Sequence, residues 1–129
     1  YAFDASSDET CWYPAVTLPS DLTPSQTAEF RLTWSGDSTN TGNVYWNILF
    51  RKGKNGAAMS GWSTLTAVDA NAGQNYINRT DWATLTTNLE ADEVIDFKIT
   101  RDADYSGDTF SADALFHQLD VKISETIRN

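Results

Sequence analysis

Residues 102–113 read DADYSGDTFSAD, and their types and spacing fit a calcium loop. A loop of the EF-hand kind takes oxygen ligands at positions 1, 3, 5, 7 and 12, with glycine at position 6. Counting from Asp102 places Asp102, Asp104, Ser106, Asp108 and Asp113 at the ligand positions and Gly107 at the turn. Four features weigh against that chemistry. The flanking sequence alternates as strands do, not as helices do. Ser106 is a poorer ligand than Asp or Asn, Asp113 is one methylene short of a closing Glu, and Phe110 cannot hold a water. The favoured reading is therefore a structural turn, in which Asp side chains bond turn amides and Arg101 pairs with a nearby carboxylate. Calcium at Asp102, Asp104, Asp108 and Asp113 is the alternative, and no other cofactor is expected.

Catalytic chemistry has little to work with. Hydrolysis needs a nucleophile, a base and a group that orients the base. His117 is the only histidine, and its place between Leu115 and Leu119 reads as a packed or interface residue. The carboxylates Asp8, Glu9, Asp92 and Asp96 could serve glycoside hydrolysis only as a pair across a cleft, and nothing in the sequence pairs them. No phosphate-binding or dinucleotide fingerprint is present. Cys11, the single cysteine, excludes an internal disulfide and reads as a small buried residue. The sequon Asn78-Arg79-Thr80 is read as chance. The expectation is a protein that is not an enzyme.

Aromatic residues offer binding chemistry instead. The chain has 5 Trp, 5 Tyr and 6 Phe. Trp12, Tyr13, Tyr45, Trp62, Tyr76, Trp82 and Tyr105 are not all placed inward by alternation, so some must face a partner protein or a sugar. Net charge is −9 over 129 residues, which repels phosphate backbones and argues against nucleic acid. No run reaches the length of an apolar membrane span. The basic, glycine-rich stretch RKGKNGAAMSGW (51–62) reads as a solvated surface loop. The chain starts on Tyr without a signal-peptide pattern, and is read as processed or as part of something longer.

The elements that must position these residues are strands. Ala28, Phe30, Leu32 and Trp34 alternate with polar residues, as do Val44, Trp46, Ile48 and Phe50, and Ile95, Phe97 and Ile99. A turn-rich segment (35–43) separates the first two, which are expected to pair as a hairpin. Further strands are expected over residues 10–16, 62–68, from 76, over 81–87 and over 114–125. In the last of these, Leu115, His117, Leu119, Val121 and Ile123 share a face. Seven or eight such strands in a single domain, residues 1–129, imply an all-β antiparallel sandwich.

Three segments taken together resemble a known family. They are LPSDLTPSQTAEFRLTWSG, GNVYWNILFRKG and ADEVIDFKITRDADYSGDTFSADALFHQLDVKI. They are similar to a small jelly-roll domain of tailed-bacteriophage virion proteins, and AFDASSDETCWYPAVTLP is similar to that domain's opening. The ending of the motif is carried by Ala91, Asp92, Phe97, Ile99, Arg101, Asp102, Asp108, Asp113, Leu119, Val121 and Ile123. The chain departs from it at Ala91, where the family has Gly, and over residues 116–119, which lack the family's glycine. The resemblance implies a jelly roll of about eight strands on the virion surface, as a decoration or fibre-associated component. It also implies self-association, with a trimer as first expectation, and contact with capsid, neck or tail proteins. The rival expectation is a receptor-binding module that stacks its aromatics on a host surface glycan.

Overall fold

The structure, a computed structural model, describes residues 1–22, 27–85 and 88–123. The clean period-two segments form the central strands of two facing sheets. Strands β1 (Ala2–Phe3), β2 (Glu9–Thr17), β3 (Ala28–Gly36), β4 (Asn43–Gly53) and β5 (Ser63–Ala70) come first. They are followed by β6 (Ile77–Arg79), β7 (Ala83–Thr84), β8 (Val94–Arg101) and β9 (Ala114–Ile123). One sheet runs β1-β9-β3-β6, with β7 also on β3, and the other runs β2-β8-β4-β5. Every strand pairing is antiparallel. The chain is thus an all-β two-sheet sandwich. Four of its pairings nest, β1 with β9, β2 with β8, β3 with β6 and β4 with β5, while β9 also pairs with β3 and β8 with β4.

Alternation puts the expected residues in the core. Phe30, Leu32, Trp34, Val44, Trp46, Ile48, Phe50, Ile95, Phe97 and Ile99 are all buried. The two sheets meet through edge-to-face aromatic pairs, which are favoured by ring quadrupoles. Trp34 lies 5.9 Å from Trp46, and Phe30 lies 5.2 Å from Phe97.

Two expectations are corrected. β3 and β4 do not form a hairpin, because they lie in opposite sheets. The loop between them crosses the end of the sandwich and is held there by Asn71. The Asn71 amide, almost wholly buried, donates to the carbonyls of Ser38 (2.9 Å) and Asn40 (2.8 Å). Alternation tells which face a residue takes, not which strand lies beside it.

The last strand also differs. Its pairing with β3 shifts between Thr33 and Trp34, so Gln118 faces Thr33 while Phe116 faces Trp34, and His117 is the extra residue. This bulge changes the inward phase from Ala114 and Phe116 to Leu119. His117 is therefore exposed, and Leu115 does not share the core face of Leu119. The expected strand over 81–87 is described only as β7, since residues 86–87 lie outside the described residues, as do 124–125 of the last strand.

Candidate functional surfaces

The 102–113 loop carries its own cation. Arg101 continues the inward series Ile95, Phe97, Ile99 and is fully buried at the end of β8. Its Nε and Nη2 donate to the two carboxylate oxygens of Asp108 at 2.9 and 2.8 Å. Its Nη1 donates to the carbonyls of Phe3 (3.2 Å) and Ala112 (2.7 Å), and Nη2 also donates to that of Phe110. All five guanidinium N–H groups are thereby used. Asp108 accepts a further bond from the Tyr45 amide at 3.0 Å. The loop is thus drawn over the sandwich end, with Phe110 in the core against Trp34.

The other acidic residues take separate places. Asp102 is half-buried, and its backbone carbonyl accepts from the Tyr105 amide at 3.2 Å. Desolvation, together with Asp8, Asp104 and Asp108 nearby, raises its carboxyl above the ordinary Asp value. Asp104 and Asp113 are exposed. Among the described residues, no group of three or more His, Cys, Asp or Glu is placed to hold a metal ion. Gly107 packs closely under Tyr105: a Cβ there would lie 2.7 Å from the ring and would push that half-exposed side chain aside.

The seven aromatic candidates fall into separate groups. Trp12 and Trp62 meet on the outer face of the β2-β8-β4-β5 sheet, with ring centroids 5.7 Å apart in an edge-on arrangement. Lys98 from β8 lies over both rings, 5.1 Å from Trp12 and 4.0 Å from Trp62. Arg51 from β4 lies 4.6 Å from Trp62 and is paired with Asp96 at 3.1 Å. On the same face, the Tyr45 and Tyr105 rings meet with centroids 4.3 Å apart and planes tilted by 42°. Tyr13 instead turns inward, edge-on to Phe97 and Phe116. Trp82 lies on the other sheet under Arg31 at 4.4 Å, and Tyr76 stands alone, 62% exposed. Trp12, also 62% exposed, is thus the large aromatic with both a free surface and a cation beside it.

The basic stretch 51–62 is not an open positive surface. Lys52 reaches buried Glu93 at 3.2 Å, and Lys54 pairs with Glu90. Lys98, by contrast, makes no salt bridge among the described residues.

A groove of about 280 Å³ runs beside β5, lined by Thr66, Ala67, Val68, Asp81, Trp82 and Ala83. Here Asp69 of β5 crosses between sheets to accept the Trp34 indole N–H at 2.9 Å. Burial raises the Asp69 carboxyl above its ordinary value, while the Trp34 bond opposes that shift.

Sequence reasoning missed several residues that organise these surfaces. Asn78 is buried, donating to Asn71 Oδ1 at 3.1 Å and accepting from the Ala72 amide. The neighbouring hydroxyl, Thr80 Oγ1, accepts from the Leu32 amide at 3.0 Å. His117 Nε2 lies 2.8 Å from the Ser35 hydroxyl, yet neither side chain bonds a carboxylate among the described residues. The bulge that exposes His117 leaves no sequence signal. Arg101 did have one: it stands at the inward parity of β8. The paired-carboxylate candidates have separate partners: Asp8 accepts from the Asp104 amide, Glu9 from Tyr1, Asp92 from Ser20 and Asp96 from Arg51. Cys11 is half-buried and packs against the core.

Comparison with family models, curated proteins and solved structures yields no match. The virion resemblance therefore stands on the quoted segments.

Proposed function

We propose that the chain is a jelly-roll domain acting as a non-catalytic structural component on a tailed-phage virion surface. It docks through its outer faces and edges against copies of itself and against capsid, neck or tail proteins. The nested pairing of β1 with β9, β2 with β8, β3 with β6 and β4 with β5 supports the jelly-roll reading. The observation that carries the docking reading is a set of large apolar side chains left outside a well-filled core. Trp12, Val68, Tyr76, Ile77 and Tyr105 are each about half exposed or more, on a chain whose charge otherwise favours solubility. Such side chains are characteristic of contact surfaces. A mass measurement in solution tests the reading: a defined oligomer is expected, and a monomer at every concentration would count against it.

A second reading is favoured by one observation, the uncompensated Lys98 beside exposed Trp12. A sugar carrying a carboxylate would stack on the indole and pair with the ammonium. The edge-on Trp12–Trp62 geometry gives one stacking face, not a flat platform. Titration with an anionic polysaccharide should show saturable binding that W12A abolishes. Absence of binding removes this reading and leaves the structural one intact.

A further inference from the structure

The four edges of the two sheets are not equally protected. Exposed strand edges template pairing with other chains, and proteins blunt them with short strands, prolines, bulges and charges. At one edge of the four-stranded sheet, β2 carries Pro14 and a register break between Tyr13 and Val16. In the other sheet the edges are β1, of 2 residues, and β6 and β7, of 3 and 2. β5 has no short span, proline, bulge or lysine of this kind; residues 81–83 flank it across the groove without bonding to its backbone. It runs for 8 residues, STLTAVDA, pairs with β4 without a break, and contains no proline, lysine or arginine. Its one charge, Asp69, is bonded to Trp34. Among the described residues, its backbone bonds to no strand but β4. The groove beside Thr66, Ala67 and Val68 opens along it, and Val68 is 48% exposed.

We propose that β5 is a self-association edge, where β5 of a second copy adds antiparallel about a two-fold axis to make one continuous eight-stranded sheet. This rests on the reading of the chain as a self-associating module and names the surface that it uses. Unpaired backbone donors and acceptors specify the occupant's chemistry: an extended strand, not a side-chain patch. The sequence of β5 specifies a second copy. With the axis at Thr66, that residue faces itself, Leu65 faces Ala67, Thr64 faces Val68 and Ser63 faces Asp69. Threonine and apolar pairs of this kind favour cross-strand contact, and no like charges stand opposite. The two Asp69 carboxylates end up 6 residues apart along the paired strands, about 20 Å, beyond the screening length of physiological salt. The other acidic residue at this edge is Asp81, on the far wall of the groove beside Thr66–Val68. Isologous pairing yields two copies or an even-numbered assembly, not three.

Two double variants test both the edge and its register. Thr64 and Val68 are exposed, so neither variant disturbs the core. In T64K/V68K each introduced lysine faces another across the axis; in T64E/V68K each lysine faces a glutamate. By sedimentation and native mass, the unmodified protein is expected to be a dimer. T64K/V68K should be a monomer with an unchanged circular dichroism spectrum, and T64E/V68K should return to a dimer with a Kd at least about tenfold tighter than T64K/V68K. Association that T64K/V68K leaves untouched, or a trimer, would overturn the β5 edge while preserving self-association. An unmodified protein that stays monomeric at every concentration would overturn both.

Discussion

Lys98 and Arg101 stand three residues apart on β8 and face opposite ways. Arg101 points into the sandwich, is fully buried, and spends every N–H on Asp108 and three carbonyls. Lys98 points outward, rests on two indole rings, and makes no salt bridge among the described residues. The same strand thus uses one cation to close the fold and leaves another available at the surface. The difference shows why charge alone does not mark a site. What matters is whether the structure already supplies the counter-charge.

The largest expected effect comes from breaking the buried member. R101M leaves the Asp108 carboxylate buried without its partner, together with the carbonyls of Phe3, Phe110 and Ala112. Removing one side of such a pair costs about 3–5 kcal/mol, to be read as a lower urea midpoint. The double variant R101M/D108L removes the stranded charge and should recover part of that loss. Recovery stays incomplete because the three carbonyls and the Tyr45 amide remain unpaired. A stability for R101M within 0.5 kcal/mol of the unmodified protein, a threshold of about the usual surface effect, would end the comparison, since Arg101 would then be as dispensable as a surface lysine.

A smaller effect is expected at Asp69, and its sign follows from linkage. Burial raises the folded-state carboxyl pKa above the ordinary Asp value. Between the unfolded and folded values the native state binds more protons, so this group's contribution makes stability fall as pH rises through that window. D69N removes the titration while keeping an acceptor for the Trp34 indole. It is expected to raise the urea midpoint at pH 7 modestly and to remove Asp69's share of the acid-side slope. A D69N protein less stable than the parent at pH 7, with the slope unchanged, would show that the charged form is the one the fold prefers.

Much of the fold was legible, for a physical reason. β3, β4 and β8 are central strands with one face in the core, so burial imposes clean alternation at Phe30, Trp46 and Phe97. What alternation cannot carry is neighbourhood: succession in the chain suggests β4 as the partner of β3, whereas the structure pairs β3 with β9, β6 and β7. Phase was lost at His117 because a bulge is a backbone event with no required residue there. The surfaces were less legible still. Tyr13 and Trp12 are adjacent and both aromatic, yet one is core and the other is exposed. Parity along β2 separates them only once Cys11 and Tyr13 are known to face Ile99 and Phe97. Long-range polar ties such as Asn71 to Ser38 and Asn40 join segments far apart in sequence, and no local pattern announces them.

The outward member of the pair should behave in the opposite way. K98M loses no salt bridge among the described residues and keeps an apolar stem over Trp12 and Trp62. Its stability should stay within about 0.5 kcal/mol of the parent. The tryptophan emission should change, because the ammonium beside both rings is gone. If the second reading holds, affinity for an anionic polysaccharide should fall with it. A stability loss comparable to that of R101M would mean that Lys98 too is structural.

The smallest expected effect concerns the loop that Arg101 closes. Calcium there would have to recruit Asp108, whose two oxygens already accept from Arg101 and the Tyr45 amide. Displacing the guanidinium would strand a buried cation and release three carbonyls, a cost that two or three more exposed carboxylates do not offset. Any ligand that prefers the native state raises its melting point, by a stabilisation that grows with the logarithm of ligand concentration over Kd. Millimolar calcium, or a chelator, should therefore shift the melting temperature by less than about 1 °C, taking roughly 4 °C per kcal/mol for a domain between the small and mid-sized classes. A rise of several degrees with calcium would place an ion among Asp102, Asp104 and Asp113 despite Arg101. It would also make the two cations of β8 less different than their bonding implies.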